Sequence, residues 1–192
     1  MALPPEPVYT SILNSHPYIG PLMINALECL CNNVSAIPNP PAICCFRVGT
    51  EIIHDAGFSI DQCCEGIAYV ALGDAFPSSQ SFPEQDIVRQ SESQCKPPTW
   101  GLYLKVGLIR CIPVGGIEPL DCAGWNAAAL QNIYDTTALL RTSCCIRDYV
   151  IHQEARFLGM SAVIDRHVQG NPLGGCIERS FTMPIQIPNC EC

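Results

Sequence analysis

Charge is scarce in this chain, and basic charge scarcest. Charged residues make up 15% of its 192 positions, with 10 Lys and Arg against 18 Asp and Glu. That balance, a formal −8, argues against a general nucleic-acid binder. Gripping phosphates by counterion release needs a basic footprint. No run of about 18 apolar residues occurs, so no segment reads as a membrane span. At 48% hydrophobic the chain is not an acidic disordered tail either. Chemical motifs are missing too. There is no G-x-S-x-G elbow, no Walker loop, no G-x-G-x-x-G after a strand and no H-E-x-x-H. His16, His54, His152 and His167 are scattered. Asp55 beside His54 is an ordinary loop pair. Asp165 and His167 alternate on one strand face, where solvent exposure is expected. No cysteine has the basic neighbours or His base that activate a nucleophile. The residues nominate no catalytic, cofactor-binding or metal-ligating group, and the chain is not read as an enzyme.

What the chain does have is cysteine, 14 in all. A domain of this length buries roughly 70% of its unfolded surface and needs no staples. Three pairs are vicinal (Cys44-Cys45, Cys63-Cys64, Cys144-Cys145), and two are C-x-C (Cys29/Cys31, Cys190/Cys192). No C-x-x-C exists. Vicinal residues on a strand point to opposite faces, which weakens a zinc reading. Two readings stay open: small buried apolar residues, or disulfides of about 2–4 kcal/mol each. The disulfide or packing candidates are Cys44, Cys63, Cys64, Cys95, Cys111, Cys176, Cys190 and Cys192. Cys190 and Cys192 are the expected ties between loops and termini. The start, MALPPEPVYT, lacks the charged and apolar regions of a signal peptide. The expectation is a chain that lost its signal, stays reduced, or is made inside a cell and works outside it.

Residues 1–20 read as an extended arm broken by Pro4, Pro5, Pro7 and Pro17. Pro21 then suits the first position of a helix. Met23, Leu27, Leu30, Cys31 and Val34 form its apolar stripe. Asn32-Asn33 weaken its end and NPP at 39–41 closes it. Strands are expected at 42–48 and 65–73, then a long Pro/Ser-rich loop at 74–98. Residues 99–113 alternate, with Trp100, Leu102, Leu104, Val106 and Leu108 on one face and Tyr103, Lys105 and Ile109 on the other. Asp121 is placed to cap a helix over 122–145. There Trp125, Ala129, Ile133, Thr137, Leu140 and Cys144 recur at three to four residues. Arg141 and Arg147 are read near its C-terminal end. A hairpin closes the chain, 156–168 against 176–188. In its last strand Ile177, Phe181, Met183, Ile185 and Ile187 alternate with Glu178, Ser180, Thr182 and Gln186. Pro184 must lie at an edge or bulge.

The expected fold is one α+β domain over 21–192, preceded by the arm. A mostly antiparallel sheet carries two main helices on one face. Its assembly features are the long loop (Phe76, Pro77, Phe82, Pro83, Glu84, Asp86) and the terminal hairpin edge. Glu84 and Asp86 read as solvated loop residues rather than a cation site.

Four stretches together resemble one family. They are CCEGIAYVALGDAFPSSQSFPEQD, CKPPTWGLYLKVGLIRCIPVG, the helix with IYDTTALLR, and GNPLGGCIERSFTMPIQIP. They are similar to neck proteins of long-tailed bacteriophages, especially those infecting actinobacteria, over roughly residues 60–190. The element order is most similar to the tail terminator. The resemblance implies a virion protein, assembled in the host cytoplasm, that forms a ring, expected to be a hexamer. The ring caps the tail tube and joins it to the head connector. The implied partners are further copies of itself, the tail-tube protein and the head-completion or stopper protein. DNA passes through the lumen without specific binding. No cofactor and no membrane are implied. Another neck ring such as the stopper, or a secreted disulfide-rich binding module, are the alternatives.

Overall fold

The computed structural model describes residues 10–12, 14, 16–48, 64–78, 82–84, 99–111, 121–154, 161–164, 167–170 and 175–187. Its first long helix, α1 (Ile19–Ser35), begins two residues before Pro21. Proline is tolerated there because the first turn's N–H groups have no helical partner. The imidazole Nδ1 of His16 accepts from the backbone N–H of Tyr18 and Ile19, both at 3.3 Å. The arm is therefore not extended throughout: Thr10–Ile12 are helical, and Ile19 and Gly20 belong to α1. The stripe Met23, Leu27, Leu30, Cys31 and Val34 is buried, as expected. After the helix, Asn39 takes a positive φ of 50°, which Asn tolerates better than most residues.

Six strands form one sheet: β1 (Ile43–Val48), β2 (Ile67–Ser78), β3 (Thr99–Cys111), β4 (Ser161–Ala162), β5 (His167–Gln169) and β6 (Cys176–Ile187). The order is β1-β2-β3-β6-β4, with β5 also on β6. Only β1–β2 is parallel. A parallel pair needs a crossover of a dozen or more residues, so β1 and β2 are not joined as a hairpin. The α+β reading holds, with the C-terminal hairpin formed by β5 and β6. Gly175 turns into β6 at φ 82°.

Three details differ from expectation. Strand β2 runs on through Ser78, so residues 74–78 are not loop. A bulge between Leu72 and Ala75 reverses the alternation there. The second long helix, α2 (Cys122–Glu154), extends well past residue 145, so Arg141 and Arg147 lie inside it. Pro184 sits within the β3–β6 ladder opposite Tyr103. Its carbonyl accepts from Val163 N at 3.1 Å, so its missing N–H also faces the outer side of β6. The β3–β6 ladder loses no bond, but β6 is flanked by β3 and β4, so Pro184 lies neither on an edge strand nor at a bulge.

Both helices cover one sheet face. Leu104, Val106, Leu108, Phe181, Met183 and Ile185 pack there against Leu22, Leu27, Leu30, Leu139, Ile146 and Val150. On the other face Tyr69 lies over Gly107, where an added Cβ would stand 2.7–2.8 Å from the phenol ring. Gly101 admits the Phe76 ring the same way.

Disulfides pin the helices. Cys29–Cys145 joins α1 to α2 across 116 residues, and Cys31–Cys44 joins α1 to β1 across 13. Cys64–Cys111 ties the chain before β2 to the end of β3. Chain-entropy arguments assign the longest loop about 5 kcal/mol. Replacing Cys29 and Cys145 together by alanine is therefore expected to lower the unfolding free energy by about 2–5 kcal/mol. Urea unfolding without reductant measures it. An unchanged midpoint would show that this bond contributes nothing.

Candidate assembly surface

Helix α2 starts on Asp121, whose carboxylate accepts from Gly124 N at 2.8 Å, the N-cap expected of it. Beyond that, α2 is turned against its own hydrophobicity. Its sheet-facing side carries Asp135, Thr142 and Ser143, all buried, beside Ala138, Leu139, Ile146 and Val150. The apolar row that recurs in the sequence faces out. Trp125 is 56% exposed, Leu130 49%, Ile133 60%, Leu140 49% and Ile151 52%.

The buried side chains of Asp135, Thr142 and Ser143 are all hydrogen-bonded. Thr142 Oγ1 donates to Ala138 O and Ser143 Oγ to Leu140 O, each at 2.8 Å. Asp135, with no exposure, accepts from Arg110 through Nε at 3.2 Å and Nη2 at 3.0 Å. Gln131 adds a third donor at 3.0 Å, and Arg179 Nη1 lies at 3.6 Å. Arg110 also donates to Asn39 O at 2.9 Å, tying in the segment after α1. Burial pulls Arg179 below the usual guanidinium range, with Asp135 opposing. A cavity of about 240 Å³ opens beside this cluster, between Trp125, Asn132 and Ile177.

The opposite sheet face holds a second buried cluster. Glu178 accepts from the Tyr69 hydroxyl and pairs with Lys105 at 2.9 Å. Arg47 stacks over the Tyr69 ring at 5.1 Å. Burial raises the Glu178 carboxyl to about 7, Arg47 opposing.

Of the cysteine candidates, Cys44, Cys64 and Cys111 are in the bridges above, and Cys176 is also disulfide-bonded. Cys63, Cys95, Cys190 and Cys192 lie outside the described residues. Of the loop candidates, Phe76 and Pro77 belong to β2, and Phe76 is buried against Tyr103, ring centroids 4.8 Å apart. These two are strand residues, because the strand continues past its bulge. Phe82 is half-buried, Pro83 and Glu84 are exposed, and Asp86 lies outside the described residues. His54, Asp55 and Asp165 do as well. His167 is not a solvent-facing group. Both ring nitrogens are buried, and the ring packs on Phe181 at 5.0 Å between centroids.

Not nominated by the sequence were the bridged Cys29, Cys31 and Cys145, and the cluster Arg110, Asp135 and Arg179. A signal existed for the cluster. Arg110 continues the core-facing parity of Leu104, Val106 and Leu108, and Arg179 falls between Ile177 and Phe181 on that of β6. Two cations on core-facing parities demand a buried anion. The chain matches no protein family and no curated protein.

Asp135→Ala leaves two buried guanidiniums without their carboxylate and is expected to cost about 3–5 kcal/mol. Asp121→Ala removes only a cap, about 1 kcal/mol. Chemical denaturation of both variants tests the ranking, and equal losses would refute it. For Glu178 the folded value lies above the ordinary 4.5. Its contribution is thus complete below about pH 4.5 and is lost as pH rises through about 7, up to about 3 kcal/mol. Melting wild type and Glu178→Gln from pH 4.5 to 8 should show a flatter profile in the variant.

Proposed function

We propose that this chain is a structural subunit of a long-tailed phage neck, most like a tail terminator. It would form a ring, a hexamer by the resemblance, that caps the tail tube and meets the head-completion protein. The observation that carries an assembly role is the outward apolar row of α2. A lone subunit gains nothing by holding Trp125, Leu130, Ile133, Leu140 and Ile151 in water, whereas a neighbour that covers them gains the burial energy. The four sequence stretches, and two helices on one face of a mostly antiparallel sheet, support the more specific reading. So do the sheet's two ends, β1 on one side and β4 with β5 on the other. Such ends suit head-to-tail contacts, the kind that close rings. The −8 charge suits a lumen that passes DNA without holding it. The disulfides favour one other reading, a secreted binding module.

The test is assembly. Purified protein mixed with tail tubes is expected to form rings of one size at the tube end by electron microscopy. Leu130→Glu with Ile133→Glu is expected to abolish rings while leaving the circular dichroism spectrum unchanged. A monodisperse monomer that ignores tail tubes would return the reading to a secreted module.

A further inference from the structure

We propose that the C-terminal half of α2 pairs with the same half of a second copy, antiparallel, across a two-fold axis beside Cys144. The inference rests on reading the α2 row as an assembly surface and names its occupant.

Four observations support a second copy of this helix. Within the overlap Thr137, Leu140, Cys144, Arg147 and Ile151 advance by alternating steps of three and four, a spacing that Leu130 and Ile133 continue beyond it. That is the 3.5-residue period of a seam whose partner is another helix. The seam runs beside a shallow groove between Leu140 and His152. Arg141 and Asp148, both exposed, stand seven residues apart on one flank. Turning a second copy about the point midway between them sets each Arg141 against the other copy's Asp148, twice. A parallel copy brings neither contact. Asp148 is held meanwhile, among the described residues, by the adjacent Arg147 at 3.1 Å in an exposed pair, and is easily redirected. Finally, the midpoint falls between residues 144 and 145, beside Cys144, a free and exposed thiol.

In this arrangement Leu140 of one copy packs near Ile151 of the other. The overlap runs to Glu154 on both sides, roughly 30 Å of helix. That is less than a standard interface, so the pairing depends on concentration. Leu130 and Ile133 lie beyond the overlap and stay available to a ring neighbour. A two-fold contact does not itself close a ring.

Oxidation with diamide tests the pairing. Two Cys144 thiols give two protons and two electrons to diamide, which becomes its hydrazine, and a disulfide joins the copies. The expected product at high protein concentration is a covalent dimer on non-reducing gels, its bridge mapped to Cys144 by mass spectrometry. Cys144→Ser should remove it. Cys122→Ser should not, although Cys122 is also free and exposed, because the two copies of Cys122 would stand roughly 65 Å apart. Arg141→Asp should slow cross-linking at least tenfold, and adding Asp148→Arg should restore it. A dimer that persists in Cys144→Ser, or Arg141→Asp cross-linking at the wild-type rate, overturns the pairing. Rings on tail tubes with Cys144 never cross-linked overturn the pairing and leave the ring reading standing. A Cys144 dimer from protein that never caps tubes does the reverse.

Discussion

The carboxylate of Asp135 is the constraint from which the arrangement of α2 follows. It has no exposure and sits on a helix packed over an apolar sheet face. A charge in that position is tolerable only if donors meet it from several directions. Arg110 comes from β3, Arg179 from β6 and Gln131 from its own helix. Together they set how α2 is rolled about its axis. Once Asp135 points at the sheet, Thr142 and Ser143 must point inward as well. Leu130, Ile133 and Leu140 are then carried outward. The exposed apolar row, the proposed assembly surface, is thus the other side of a buried ion cluster. The Cys29–Cys145 bridge holds the same roll at a second point along the helix.

This inversion also explains which parts of the fold were legible in the sequence. Strand β3 was transparent, because its parity matches its burial on both faces. The stripe of α1 was transparent for the same reason, since its apolar side is its inner side. The apolar row of α2 was equally visible, but its direction was not. Apolar periodicity identifies a face without saying what covers it. The inner face of α2 is stabilised by Thr and Ser hydroxyls that bond to its own carbonyls, and by ions supplied from distant strands. None of those terms appears in a local apolar pattern. Arg110 and Arg179 were the available clue, as two cations on strand parities that face the core. The bulge in β2 was hidden too, because a one-residue shift leaves composition unchanged while moving Phe76 to the opposite face.

The cysteines divide along similar lines. Adjacent residues diverge in direction, so each described vicinal pair does two jobs. Cys44 bonds to α1 while Cys45 lies on the other face of the sheet. Cys145 bonds to α1 while Cys144 looks outward. Doubling therefore lets one position close the fold and its neighbour remain a thiol. Burial raises the Cys45 thiol above its ordinary range, with Arg47 opposing, which keeps that sulfur protonated and unreactive.

The Cys29–Cys145 bridge has a mechanical meaning as well. It encloses β1, β2 and β3 in one covalent circuit. Tension applied between the two ends of the chain crosses the sulfur bridge and bypasses the chain between, a sequence separation of 116. About 400 Å of contour is withheld from stretching. That path runs through the start of α1 and the last turns of α2, while Cys176 on β6, itself disulfide-bonded, adds a further covalent tie. Force along that path would load the ends of the two long helices before the ladder between β1 and β2.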